Sequence, residues 1–217
     1  MNKLMQAVLG VAVAMPLQVF AAGTVDWTHW SDSSTGTMTQ GAQLINVSYS
    51  GDNYGLITEP GIYDHPASFT NSEVTNTPPD FQTIKLVGGT SSVNTFTFDH
   101  AVVNPYIDLI SVGQGGVGVN LVFVADGSNL SILAQGPGHW GGGSLTQSGN
   151  VITGYEGNGL LKLNGSYTSI SFYTPNAENY YGITVGASVA AVPEPETWGM
   201  LLGGLSVLGL LARRRKQ

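Results

Sequence analysis

The sequence predicts an all-β protein, an antiparallel β-sandwich of the jelly-roll kind, from three observations made between Ala22 and Ala191. Apolar residues recur at every second position, turn residues interrupt them at short spacing, and no window carries the 3.6-residue period of a helix. Without a βαβ rhythm the strands pair antiparallel and close their apolar faces against a second sheet. An immunoglobulin-like sandwich is the alternative, and the chain lacks its Cys and Trp landmarks.

The strands follow in chain order. Ile45, Val47 and Tyr49 alternate with Asn46, Ser48 and Ser50, which buries one face and wets the other. Residues 71–82, Asn-Ser-Glu-Val-Thr-Asn-Thr-Pro-Pro-Asp-Phe-Gln, form a polar, proline-bearing connection within one domain. Phe96 and Phe98 alternate with Thr95, Thr97 and Asp99. From Val117 to Val124 the run is nearly all apolar, as expected of a central strand covered on both faces. Asp126-Gly127 separates that run from Leu130–Leu133. Asn164-Gly165, between Leu160–Leu163 and Tyr167–Tyr173, predicts a two-residue type I′ hairpin. Ile170 and Phe172 alternate with Ser169 and Ser171. Roughly ten such strands with no long internal repeat disfavour a solenoid or propeller.

Both ends of the chain have a different composition. Lys3 supplies a positive start, Leu4–Phe20 an apolar stretch interrupted by Pro16, and Val19-Phe20-Ala21 a small-x-small pattern. Together these predict a secretory signal peptide, residues 1–21, cut after Ala21; a cut after Ala22 would place bulky Phe20 three positions before the bond. At the other end Pro193, Glu194 and Pro195 form a stiff acidic spacer, since each proline fixes its own φ and restrains the residue before it. Trp198 then opens an apolar helix, about 198–212, closed by Arg213, Arg214, Arg215 and Lys216. Such a helix spans on the order of 22 Å at ~1.5 Å per residue, short of the ~30 Å hydrocarbon core. The basic cluster holds its end of the segment in the cytoplasm and leaves everything upstream outside.

This order of Pro-Glu-Pro, interfacial Trp198, Gly/Leu-rich helix and triple Arg resembles the PEP-CTERM sorting signal, which membrane-embedded exosortases recognise in Gram-negative bacteria that make exopolysaccharide. The resemblance covers residues 192–217 and implies sorting and processing at Pro193, Glu194 and Pro195, with Trp198 and Arg213–Lys216 completing the address. The N-terminal signal peptide adds export through the Sec machinery and removal by signal peptidase. An inner-membrane precursor would hold its domain in the periplasm, and the mature form would lie at the cell surface or outside, associated with exopolysaccharide or biofilm. Residues 22–191 are then one extracellular domain. Its stretch from Phe96 to Gly186 is similar, more softly, to ectodomains of other PEP-CTERM proteins, and that similarity carries no activity with it.

Composition narrows the partners. Residues 22–192 hold two bases, Lys85 and Lys162, against twelve acids, a formal charge of minus ten. Such a surface repels nucleic acid and anionic lipid headgroups. The absence of cysteine excludes disulfides and thiolate chemistry.

Three places could carry chemistry. The loop from Gly136 to Gly143 sets His139 and Trp140 among five glycines and a proline, where the indole could lie on a sugar ring or instead plug one end of the sandwich. In Gly154-Tyr155-Glu156-Gly157-Asn158-Gly159, Glu156 is a candidate ligand for a structural Ca²⁺, or an ordinary turn carboxylate. Glu156 and Glu178 are the pair a glycosidase would need. His100 follows Asp99 without a Gly-x-Ser-x-Gly elbow, and His29, His65, His100 and His139 have no zinc-type spacing. The expectation is therefore a non-catalytic surface or matrix protein without a cofactor, the alternative being a glycan-binding module delivered by the same route.

Overall fold

A computed structural model describes residues 23–124 and 127–189. Its strands are β1 (Val25–Trp27), β2 (His29–Trp30), β3 (Thr35–Gln40), β4 (Gln43–Ser50), β5 (Ile84–Gly88), β6 (Asn94–Val103), β7 (Tyr106–Val112) and β8 (Val119–Phe123). They continue as β9 (Leu130–Gly138), β10 (Gly141–Gly142), β11 (Leu145–Ser148), β12 (Val151–Gly154), β13 (Gly157–Leu163), β14 (Ser166–Tyr173) and β15 (Ala177–Ser188). Among the described residues the helical turns are two short 3₁₀ segments, Pro66–Ser68 and Gly127–Asn129.

The chain is all-β, with its strands in two antiparallel sheets. One runs β11-β12-β8-β14-β6-β4-β3-β2, and the other β1-β15-β7-β13-β9-β10 with β5 beside β15. From β6 to β14 the wiring is that of a jelly roll: β6-β14-β8-β12 in one sheet face β7-β13-β9-β10 in the other. Two interlocked Greek keys produce this order. β15 and β5 widen the second sheet beyond β7, and β4, β3 and β2 widen the first beyond β6.

This topology revises two local expectations. Leu163 ends β13 in the seven-stranded sheet and Ser166 starts β14 in the eight-stranded one, so Asn164-Gly165 crosses between sheets and closes no hairpin. Positive φ occurs at Gly165 (130°) and Asn104 (52°), while Asn164 has none, and a type I′ turn needs it at both central residues. Asn104 and Gly165 hold the corner together: Asn104 N–H donates to Gly165 O at 2.7 Å, and Gly165 N–H to Asn104 Oδ1 at 2.8 Å. In the Val117–Val124 run, only Val119, Leu121 and Phe123 are buried, while Val117 and Val124 are exposed. β8 is central in its sheet, yet its outer face is left partly open.

The strands covered on both faces are β7, β13 apart from half-buried Lys162, and β15 from Tyr181 to Ala187. Between the sheets lies the main core, which includes Ile45, Val47, Tyr49, Phe96, Phe98, Phe123, Ile170 and Phe172, the alternating residues of β4, β6, β8 and β14. Phe96 bridges Tyr49 (centroids 5.0 Å) and Phe172 (6.2 Å), and Phe172 continues to Phe123 (5.6 Å). Each fully buried Phe contributes roughly 1.5–3 kcal/mol. Residues 51–83 fold back as an irregular cover that packs Ile57, Ile62, Tyr63 and Phe69 against Ile110 of β7. Farther along, Val25, Trp27 and Val74 cover Tyr106 and Leu160.

Candidate functional site

The site lies at one end of the seven-stranded sheet and starts from an irregularity in β7. Ile107 and Leu109 point into the main core, and the next inward residue is Val112 rather than Ser111. The register explains the shift: Gly159 pairs with Leu109, but Gly157 pairs with Val112, so Asn158 stands opposite both Ile110 and Ser111. This is a β-bulge, which twists a strand and re-aims a side chain. Ser111 adopts φ 55° and Glu156, in the turn before β13, φ 63°. Non-glycine residues in this region cost on the order of 1–3 kcal/mol each and collect at functional sites.

Asn158, 1 % exposed, holds the bulge. Its Oδ1 accepts from Ser111 N–H at 2.8 Å, and its Nδ2 donates to Glu156 O at 3.0 Å. Ser111 Oγ then donates to Glu156 Oε1. Gly138 passes so near this amide that an added Cβ would lie 2.3 Å from Asn158 Oδ1.

Glu178, near the start of β15, is 9 % exposed and accepts from Gly113 N–H at 3.1 Å. Gly113 itself requires its φ of 83° and lack of a side chain, because a Cβ would sit 2.2 Å from Gly154 O. Burial pushes the Glu178 carboxyl up to about 7; the Gly113 N–H opposes the rise and the charge of Glu156 adds to it. Around neutral pH this acid therefore exists in both forms.

Aromatic residues wall the same place. Trp140 makes edge-to-face contacts with His139 (5.2 Å, 87°) and Tyr180 (5.5 Å, 83°), and remains 36 % exposed. His139 Nδ1 lies 3.0 Å from Asp64 Oδ2 in the covering segment. Lys85 Nζ stands 4.6 Å from the Tyr180 ring centroid, a cation–π distance. Ser111, Glu156, Glu178, Trp140 and Tyr180 line a cavity of about 190 Å³.

A larger hollow of about 470 Å³ lies on the outer face of the eight-stranded sheet, among residues such as Thr37, Asn46, Ser48, Thr97 and Asp99. It has more room but no buried titratable group. Hydrogen bonds from Asn46 and then His100 hold the exposed Asp99 carboxyl down at about 2, so Asp99 and His100 form a surface pair. The smaller cavity has the distinctive chemistry.

Of the residues singled out from sequence, Trp140, Glu156 and Glu178 come together here with His139 beside them. At Glu156, Oε1 accepts from Ser111 Oγ–H, and the neighbouring Asn158 Oδ1 accepts from Ser111 N–H. Among the described residues no three His, Cys, Asp or Glu side chains gather in one place. Sequence reasoning missed Ser111 and Tyr180 and saw Asn158 only as part of the Glu156 turn, since a polar residue in a mostly apolar strand becomes informative only once the bulge is known. Asp108, also on β7, is fully buried, which raises its pKa well above the usual range.

The expected cleavage point Ala21 lies outside the described residues, as do Pro193, Glu194, Pro195, Trp198, the helix 198–212 and Arg213–Lys216. Residues 191–216 match the PEP-CTERM protein-sorting motif. No curated protein and no solved structure matches the chain. The motif marks an exported protein that an exosortase-type enzyme processes, by way of a precursor anchored in the membrane at its C-terminus.

Proposed function

We propose that the chain is a non-catalytic surface or extracellular-matrix protein of an exopolysaccharide-producing cell. The Sec machinery carries it out, signal peptidase removes residues 1–21, and residues 198–212 hold it briefly in the inner membrane. An exosortase-type enzyme then cuts in the Pro193–Glu196 region and releases the jelly roll to the cell surface. The match of residues 191–216 to the sorting motif is the observation that carries this reading. The domain suits that role, because its strongly acidic surface discourages nucleic acid and anionic membranes, and the reading calls for no cofactor. The test is fractionation of parent cells and of cells lacking the exosortase. Protein at the surface in the first and full-length protein held in the inner membrane in the second support the reading; identical fractionation refutes it.

The observation of an indole, a phenol ring and a buried carboxyl around one cavity favours a second reading, glycan recognition by the exported domain. It shares the same sorting route and gives the mature protein a partner in the polymer around the cell.

A further inference from the structure

The carboxyl of Glu178 is nine-tenths buried, and among the described residues its hydrogen bond is the one from Gly113 N–H to Oε1. Burying an acid with so little compensation is unfavourable and does nothing for the sandwich that an apolar side chain would not do better. The carboxyl nevertheless lines a cavity whose wall is Trp140, and more than a third of that indole is open to solvent. The bulge at Ser111 and the turn at Glu156, both with left-handed non-glycine residues, bring a second carboxylate to the same cavity.

We propose that this cavity is a subsite for a single neutral sugar ring, which lays its C–H face on Trp140 and directs its hydroxyls to the carboxyls of Glu178 and Glu156. The proposal rests on the glycan-recognising reading above and adds to it the site and the class of sugar. Three features select the ligand. At about 190 Å³ the space is below the ~300 Å³ at which pockets for drug-sized ligands begin, so it takes one ring and not a chain lying flat. Its charged lining groups are acids, and neither of the domain's two lysines lines it. Lys85 lies over Tyr180, and Lys162 is paired with Glu73. Uronates and sulfated sugars are therefore repelled, whereas hydroxyls, which donate to carboxylates, are accepted. Finally, the indole offers a flat apolar surface of the kind that a sugar's C–H face needs, while edge-to-face contacts to His139 and Tyr180 fix its orientation. Pre-orienting the ring in this way lowers the ordering cost of binding.

The test is a neutral-polysaccharide panel, with uronate-rich and sulfated polymers alongside, probed with the full chain in a sugar-free detergent. Trp140→Ala, Glu178→Gln and, at the outer hollow, Thr97→Ala are compared with the parent, each checked for native circular dichroism. Binding to a neutral polymer that falls at least tenfold in both Trp140→Ala and Glu178→Gln, and is kept in Thr97→Ala, supports the proposal. Binding kept in Trp140→Ala but lost in Thr97→Ala overturns the subsite while leaving glycan recognition standing. Failure to bind any polymer overturns both, and a preference for the anionic polymers overturns the choice of a neutral ring. Release of reducing ends from a bound polymer, abolished in Glu178→Gln, supports the sugar site and overturns the non-catalytic reading instead.

Discussion

Replacing Glu178 by Gln should change how the domain's stability depends on pH. In the folded protein, burial lifts this carboxyl from 4.5 to about 7. The folded state therefore holds a proton that the unfolded chain has lost between those values. Stability from this group is complete below about 4.5 and is lost as pH rises through about 7. The shift corresponds to roughly 3 kcal/mol at ~1.4 kcal/mol per unit. Gln keeps an acceptor for Gly113 N–H and carries no proton equilibrium. Glu178→Gln should thus match the parent near pH 4.5 and exceed it by up to about 3 kcal/mol at pH 8. The other groups acting on Glu178, namely Glu156 and Tyr181, with Asp52 coupled to the same Tyr181, remain in both proteins. Buried Asp108 adds a slope of the same sign to both and cancels in the difference. The assay is urea denaturation of residues 22–191 followed by tryptophan fluorescence at several pH values. Two curves separated by a constant amount from pH 4.5 to 8 would refute the argument that Glu178 is buried and protonated.

Further outcomes follow from other parts of the chain. Asn158→Ala strips the acceptor from Ser111 N–H and should cost about 1–3 kcal/mol in the same denaturation assay, with a smaller loss showing that the bulge needs no such clamp. Phe172→Ala, at the centre of the aromatic chain, should cost about 3–5 kcal/mol by the same measurement. Residues 23–190 expressed alone should be soluble and almost wholly β by far-UV circular dichroism; helix content near a third would contradict the fold. Neutralising Arg213, Arg214, Arg215 and Lys216 should leave export intact but release tailed precursor from the inner membrane, read by a C-terminal epitope tag after fractionation. Retention and normal cleavage would show the cluster to be dispensable.

Strands with one wet face were readable in advance. Alternation in β4, β6 and β14 requires water on one side, and Asn46, Ser48, Thr97 and Ser171 mark that side in the sequence. β7 was not readable in this way, because its second cover comes from residues 51–83, which carry no regular pattern. The Asn164-Gly165 corner misled for a related reason: local turn chemistry reports a reversal of direction but not whether the next strand joins the same sheet. At the cavity, Trp140 and Glu156, with His139 beside them, were visible as unusual residues in glycine-rich turns. Their meeting with Glu178 depends on the Ser111 bulge, a tertiary register shift without a sequence signature. The sorting tail was the most legible part because its information is local: proline stiffness, an apolar run and adjacent positive charge need no partner strands.

Intact-mass measurement of the protein recovered from its native cell surface tests the central claim most directly. The account predicts a chain that begins at Ala22 and ends within Pro193–Glu196, without the apolar helix and basic cluster. A surface form still ending at Gln217 would contradict it.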